Sequence, residues 1–176
     1  MLQGKLVNLR ALEKQDLKQL VDWMNDPELT QFLGPRFPIS LEEQEIWYSK
    51  LIQDNTKKKL IIENKEGTAI GLISLINLDW KIRQAELGVY LGSQHLNKGY
   101  ARDSALTALR FSFHELGLNR IYIFIFEDNA PALNTAAKVG FKQEGLMRSA
   151  TFYGGRYHDV VLMSILAAEF VDTGAE

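Results

Sequence analysis

The residues richest in chemical meaning fall in two runs, VYLGSQHLNKGYAR from Val89 to Arg102 and FEDNAPALNTAAKVGF from Phe126 to Phe141. In the first, Gly99 and Ala101 stand where a polar loop gives way to helical periodicity. The free backbone N–H groups and the positive dipole end of a helix start attract an anion, and small residues let it come close. The chemistry this serves is binding of a phosphate-bearing ligand, although Gly99 alone also suits a plain loop terminator. Neither GxxxxGK[ST] nor GxGxxG is present, so the run is neither a Walker loop nor a dinucleotide fingerprint. Just upstream, Glu86 is a carboxylate inside the otherwise apolar QAELGVYL. A carboxylate so placed performs acid–base work, pairs with an arginine of a neighbouring strand, or lies on a solvated face. Asn129 caps the helix that follows or offers its amide to a ligand. His95, His114 and His158 are scattered and no cysteine accompanies them, so no metal site is expected.

These residues need elements to hold them. Lys5 to Ala11 reads as a short strand, and Leu17, Leu20, Val21 and Met24 predict a helix over Asp16 to Asn25, ended by Asp26-Pro27. Ser40 and Glu43 form a capping box for a second helix running to about Gln53. Leu60 to Glu63, Thr68 to Leu78 and Gln84 to Leu91 are β-rich runs separated by polar turns, an antiparallel meander. From Gly99 the spacing of Leu106, Leu109, Phe113 and Leu116 predicts a helix closed by Gly117. Ile121 to Phe126 is uninterruptedly apolar, as a strand buried on both faces would be. Pro131 fits the first turn of a helix ending at Gly140. Strand, helix, strand, helix implies a right-handed crossover and a parallel section. Lys142 to Phe152 and Tyr157 to Leu166 flank Gly154-Gly155 as a hairpin. The expected fold is α/β (α+β), with a mixed central sheet of about seven strands, the fourth and fifth parallel, and about four helices.

Length and composition bound the rest. The 176 residues fit a single domain, 1–176. Twenty basic and 22 acidic residues leave a net charge of −2, which argues for neither nucleic acid nor an anionic membrane. The absence of cysteine excludes disulfides, thiolate-bound zinc and a cysteine nucleophile. No export signal opens the chain and no run is apolar for the length of a bilayer, so a soluble cytoplasmic protein is expected. Lys57-Lys58-Lys59 reads as a solvated turn or a contact for an acidic partner. Trp23, Phe32, Phe37 and Trp47 are core or lid candidates.

In order and content, the NKGYA loop, the apolar strand, Asn-x-x-Ala and Lys-x-Gly-Phe resemble the Gcn5-related N-acetyltransferase superfamily over nearly the whole chain. VNLRALEKQDL, Ala85-Glu86-Leu87-Gly88 and GGRYHD resemble the branch that contains ribosomal-protein N-terminal acetyltransferases. The resemblance implies an enzyme that uses acetyl-CoA and transfers its acetyl group to an amine by direct attack in a ternary complex. It assigns the pyrophosphate to Asn97, Lys98, Gly99, Tyr100, Ala101 and Arg102. It gives the pantetheine arm to backbone groups of Val89 and Leu91, the cofactor's other side to Asn129 and Ala132, and its nucleotide end to Lys138. Tyr153, Tyr157, His158 and Asp159 of the late hairpin would border the acceptor pocket, and a homodimer is common among such proteins.

Two positions depart from the family pattern: Leu96 stands where Arg or Gln is usual, and Ala136 where many relatives carry a tyrosine acid. Glu86 as base and Asn129 as holder of the thioester or a water are the remaining catalytic candidates. Freeing an α-amine (reference pKa about 7.7–8.0) of its proton at pH 7 costs roughly 1 kcal/mol, against about 4.6 kcal/mol for a lysine-type amine near 10.4. With so little acid–base machinery, an α-amine of a peptide or amino-acid-like molecule is the expected acceptor. The alternatives are polyamines or other small amines, or a non-catalytic acyl-CoA-binding module.

Overall fold

A computed structural model describes residues 1–31 and 37–172. One sheet holds eight strands in the spatial order β1 (Leu2–Gln3), β2 (Val7–Ala11), β3 (Lys58–Asn64), β4 (Ala69–Asp79), β5 (Gln84–Leu91), β6 (Arg120–Phe126), β8 (Arg156–Leu166), β7 (Lys142–Tyr153). Neighbours are antiparallel except β5 and β6. The α-helices among the described residues are α1 (Leu17–Met24), α2 (Pro27–Thr30), α3 (Leu41–Leu51), α4 (Tyr100–Arg110) and α5 (Ala130–Val139).

The sheet therefore has one strand more than expected, and there are five helices where about four were foreseen. The extra strand, β1, is too short to show alternation and exists because Leu2 pairs with Leu9. Its presence makes the parallel pair the fifth and sixth strands instead of the fourth and fifth. The extra helix, α2, starts at the dipeptide that ends α1. The Asp26 carboxylate accepts the Glu28 N–H at 2.9 Å and Pro27 occupies the first turn, so a stop for one helix starts the next.

Helices cover both faces of the sheet. In β3 and β4 successive residues serve opposite faces: Ile61 and Leu72 pack with Leu17, Leu20 and Trp23 of α1, whereas Ile62 and Ile73 join Leu106 and Leu109 of α4 and Val139 of α5. Period two explains why these strands read as continuous apolar runs. β6 was expected to be buried likewise, and it is not. Ile121 and Ile123 are buried on the α4 side, but Phe124 on the other is 44% exposed. The α1 and α3 layer packs on residues of β3, β4 and β5, so the matching face of β6 is left without a helix.

α4 passes without a break into a π turn over Phe111–Glu115, where the Leu116 N–H bonds to the Phe111 carbonyl at 3.1 Å. Gly117, at φ 63°, ends it as the sequence predicted. The late hairpin also forms as expected, its reversal made by Gly154 and Gly155 at φ 57° and 79°. Phe32 lies outside the described residues. No helix among those described is long and apolar enough to cross a membrane.

Candidate active site

The parallel ladder between β5 and β6 is brief: Gln84 faces Arg120, Ala85 faces Ile121 and Glu86 faces Tyr122, and there the pairing stops. Past that point β5 stays bonded to β4 as far as Leu91, and β6 to β8 as far as Phe126. The facing edges diverge, and a cleft of about 1220 Å³ lies against them. Along it the β6-side edge of β5 from Leu87 to Leu91 has no neighbouring strand among the described residues. Such an edge can pair with the amides of an extended ligand as it would with another strand. Val89 and Leu91 are on that stretch and line the cleft.

At the far end of β5 the chain makes a single turn over Ser93–His95, bends through Asn97 (φ 59°) and Gly99 (φ 81°), and enters α4. The first N–H to bond back from this helix is that of Asp103, to the Gly99 carbonyl at 3.1 Å. Among the described residues the N–H groups of Tyr100, Ala101 and Arg102 thus have no partner at the helix start, where the dipole favours an anion. Asn97, Gly99, Tyr100, Ala101 and Arg102 line the cleft, while Lys98 does not. Leu96, half exposed, occupies its rim. Burial, followed by the charge of Lys98, holds the His95 imidazole below its ordinary proton affinity. These features fit a bound pyrophosphate through backbone donors.

The opposite wall is α5. Asn129 caps it, its Oδ1 accepting the Ala132 N–H at 3.2 Å, so the capping reading of this residue is realised. Asn129 and Ala132 also line the cleft, and Ala136 presents only a methyl group to it. Lys138 is exposed on the last turn and outside the lining.

Glu86 projects from the end of the parallel ladder. Burial raises its proton affinity above the ordinary carboxylate range, more than the opposing hydrogen bond from Asn77 Nδ2, at 2.9 Å, lowers it. No ion pair to Glu86 exists among the described residues, which disposes of the arginine-paired reading. Such an environment favours the protonated form more than bulk water does.

The other arm of the cleft runs under α1, α2 and α3, where sequence reasoning placed its aromatic lid candidates but foresaw no polar lining. Glu28, Glu43, Gln44 and Lys59 line it beside Phe37 and Trp47, two of the four aromatic candidates; Trp23 is core. Lys59 is no solvated turn residue, because its Nζ stands 5.2 Å from the Trp47 ring centre. The capping box foretold that Glu43 would bond to Ser40, and nothing in its spacing announced a cleft.

The late hairpin is absent from the lining. Tyr153 stacks on His158 with ring centres 3.6 Å apart. The Tyr153 hydroxyl and His158 Nδ1 both reach Asp128 Oδ2 at 2.9 Å. Asp159 accepts the Ser149 N–H, and Tyr157 is exposed. The cluster clamps the turn that precedes Asn129.

Residues 7–142 match the acetyltransferase (GNAT) domain family, and the chain belongs to it. It is 32% identical to the spermidine N(1)-acetyltransferase of Vibrio cholerae over 94% of this chain and 96% of that one. It is 27% identical, over 93% of each chain, to a Bacillus subtilis protein to which a ribosomal N-acetyltransferase activity is ascribed. The Vibrio cholerae enzyme, solved in complex with CoA and spermine, is similar in fold with a TM-score of 0.90 over 94% of this chain and 98% of that one. A dodecameric structure of the same enzyme has a TM-score of 0.83, with 94% and 96% covered. The chain is an N-acetyltransferase that uses acetyl-CoA.

Proposed function

We propose that this chain acetylates a primary amine of a polyamine. The observation that carries the reading is the match, over nearly the full length, to a spermidine acetyltransferase whose fold has been seen with CoA and spermine. The cleft agrees with it, since Glu28, Glu43 and Glu86 line a space that a linear polycation would enter. The α-amine favoured from sequence, and the ribosomal branch with it, draws support from the Bacillus subtilis relative. A peptide N-terminus, however, carries one charge and has less use for three carboxylates.

Acetyl-CoA, when bound, supplies the thioester. The N–H groups of Tyr100, Ala101 and Arg102 hold its pyrophosphate, with Asn97 and Gly99 shaping the turn. The free edge of β5 at Val89 and Leu91 orders the pantetheine arm, and Asn129 and Ala132 close the other wall. Asn129 retains its Nδ2 hydrogens for an acceptor in the cleft. Lys98 and Lys138, outside the lining, act on the nucleotide end at most by their charge. Glu86 accepts the proton that the amine sheds as its nitrogen bonds to the thioester carbon and the carbon–sulfur bond breaks. Ala136, where relatives carry a tyrosine, would offer the departing sulfur no proton from this wall.

The test is a competition at pH 7 between spermidine, a short peptide with a free N-terminus and lysine blocked at its α-amine, read by mass spectrometry. Dominant polyamine acetylation is expected; dominant peptide N-acetylation would return the α-amine reading. We also propose self-association, for which β7 is suited as an edge strand exposing Leu146, Met147 and Phe152. Light scattering would show a monomer if this is wrong.

A further inference from the structure

We propose that Asn77 is the positioning residue for Glu86: a left-handed bulge in β4 turns its amide onto one oxygen of the carboxylate and leaves the other oxygen for the amine. The proposal rests on the reading of Glu86 as the base.

The geometry starts from register. Ile76 of β4 faces Glu86 of β5, and the next pair is Asp79 with Gln84. β4 therefore advances three residues while β5 advances two, the signature of a bulge. In a regular strand Asn77 would point to the face opposite Ile76 and Glu86. Its φ of 52° breaks that alternation and brings Nδ2 to 2.9 Å from Glu86 Oε2. Left-handed backbone is costly for most L residues, and asparagine is among the few that adopt it readily. Residue type and side chain are thus matched at one position, because the amide that tolerates the bulge is also the donor the bulge delivers.

The second observation is what Glu86 lacks. Oε1 accepts no hydrogen bond among the described residues, so the Asn77 amide is the single group that orients this carboxylate. Other charged groups nearby are engaged elsewhere or belong to the opposite wall. Arg120 of β6 lies over the Tyr122 ring and is bonded to Glu144 of β7, which also accepts from Ser164. Asp79, past the bulge, accepts the N–H groups of Lys81 and Ile82. Glu28, Glu43 and Lys59 face the cleft from the helical side and from β3. Burial favours the protonated form of Glu86 and the Asn77 N–H opposes it, so loss of the amide moves the acid limb of the rate profile to higher pH.

The experiment uses two full-length variants that keep the left-handed backbone accessible, Asn77→Gly and Asn77→Asp. Three readouts are made: kcat/KM for spermidine against pH, CoA affinity, and carbon-13 NMR titration of the Glu86 carboxyl with CoA bound, assigned with Glu86→Gln. For Asn77→Gly the Glu86 midpoint rises. Its kcat/KM falls by roughly threefold at the acid end and little at the alkaline end, the low end of the range for an intramolecular hydrogen bond, because water can replace the lost donor. Asn77→Asp, which sets a like charge beside Glu86, shifts both further in the same direction. CoA affinity stays as in the parent. An unmoved Glu86 titration in both variants overturns the proposal. A raised titration with an unmoved rate profile leaves the coupling of Asn77 to Glu86 standing and removes Glu86 from the role of base.

Discussion

Asp103 Oδ2 lies 2.8 Å from the backbone nitrogen of Leu6, and the same carboxylate accepts the N–H groups of Lys5 and Val7 at 3.2 and 3.0 Å. The first turn of α4, where we propose that the pyrophosphate binds, is thereby tied to the turn between β1 and β2. Asp103→Ala releases three donors at once. We expect a stability loss of about 1–2 kcal/mol by chemical denaturation together with weaker CoA binding by calorimetry, and Asp103→Asn should recover part of both. A destabilised variant with parental CoA affinity would mean that the anchor holds the fold alone.

Gly99 has φ 81°, and a Cβ added to it would stand 3.3 Å from Leu6 Cδ1. The left-handed backbone costs an alanine or a valine about 1–2 kcal/mol, so Gly99→Ala and Gly99→Val should both melt earlier. They should differ in binding, because the valine branch intrudes where the backbone must approach phosphate. We expect at least about a tenfold weaker CoA affinity for valine than for alanine, on the order of 1.4 kcal/mol. Equal affinities in folded variants would place the pyrophosphate elsewhere.

Glu86→Gln keeps the size of the side chain and removes its basicity. Since burial raises the Glu86 proton affinity, the carboxylate is the working form above that raised value and is lost as pH falls through it. Parent activity should therefore decline on the acid side before ordinary carboxylates protonate. The variant should lose about a hundredfold in kcat with CoA affinity unchanged, which is the lower range for general-base catalysis. An intact kcat would return Glu86 to a structural role.

What could be read in advance depended on whether the signal was local. Gly99, Gly117 and Gly140 punctuate helices by backbone demands that their neighbours in sequence announce, and Ser40 with Glu43 fixes a helix start in the same way. β1 was invisible because two residues show no period, and Phe124 misled because an apolar residue reads the same facing a core or a cleft. Asn77 reads as an ordinary polar residue near a strand end; its meaning arises only from the register between β4 and β5. Glu28 and Glu43 belong to helices whose sequence explains them fully without a ligand, so the acceptor arm left no mark in the spacing.

Arg10 forks onto Asp16 with two contacts of 2.8 Å and reaches Glu63 at 2.6 Å, joining β2, the entry to α1, and β3. Burial works to raise the Asp16 proton affinity, but the Arg10 guanidinium and the Glu13 N–H outweigh it and hold the group below its ordinary value. A carboxylate lowered on folding stabilises the native state above its unfolded-state value and ceases to do so as pH falls through the depressed one. We expect Asp16→Asn to cost about 2–3 kcal/mol at pH 7. In urea titrations the gap between parent and variant should close as pH drops below about 4. A gap that persists undiminished at pH 2 would assign the loss to packing instead of charge.

Glu28 tests the acceptor. A polyamine must present one neutral amine at the thioester while its remaining ammonium groups stay charged, and those charges need partners along the arm under α1, α2 and α3. Of the carboxylates on that arm, Glu43 already accepts the Ser40 N–H through Oε2, whereas Glu28 sits on the first turn of α2 with no hydrogen bond to its side chain among the described residues. Glu28→Gln keeps volume and removes charge. Because Glu28 is exposed, the attraction is that of a surface ion pair, about 0.5–1 kcal/mol, which corresponds to a rise of about two- to fivefold in the spermidine KM. The change should be larger at low ionic strength, where such pairs are less screened. The kcat and CoA affinity should hold, since the proposed placement keeps the thioester and the pyrophosphate away from this arm. A singly charged amine used as a control should lose much less, having no second ammonium to place. If both acceptors lose equally, or neither does, the arm does not read polyamine charge and the acidic-cleft argument for a polyamine substrate fails.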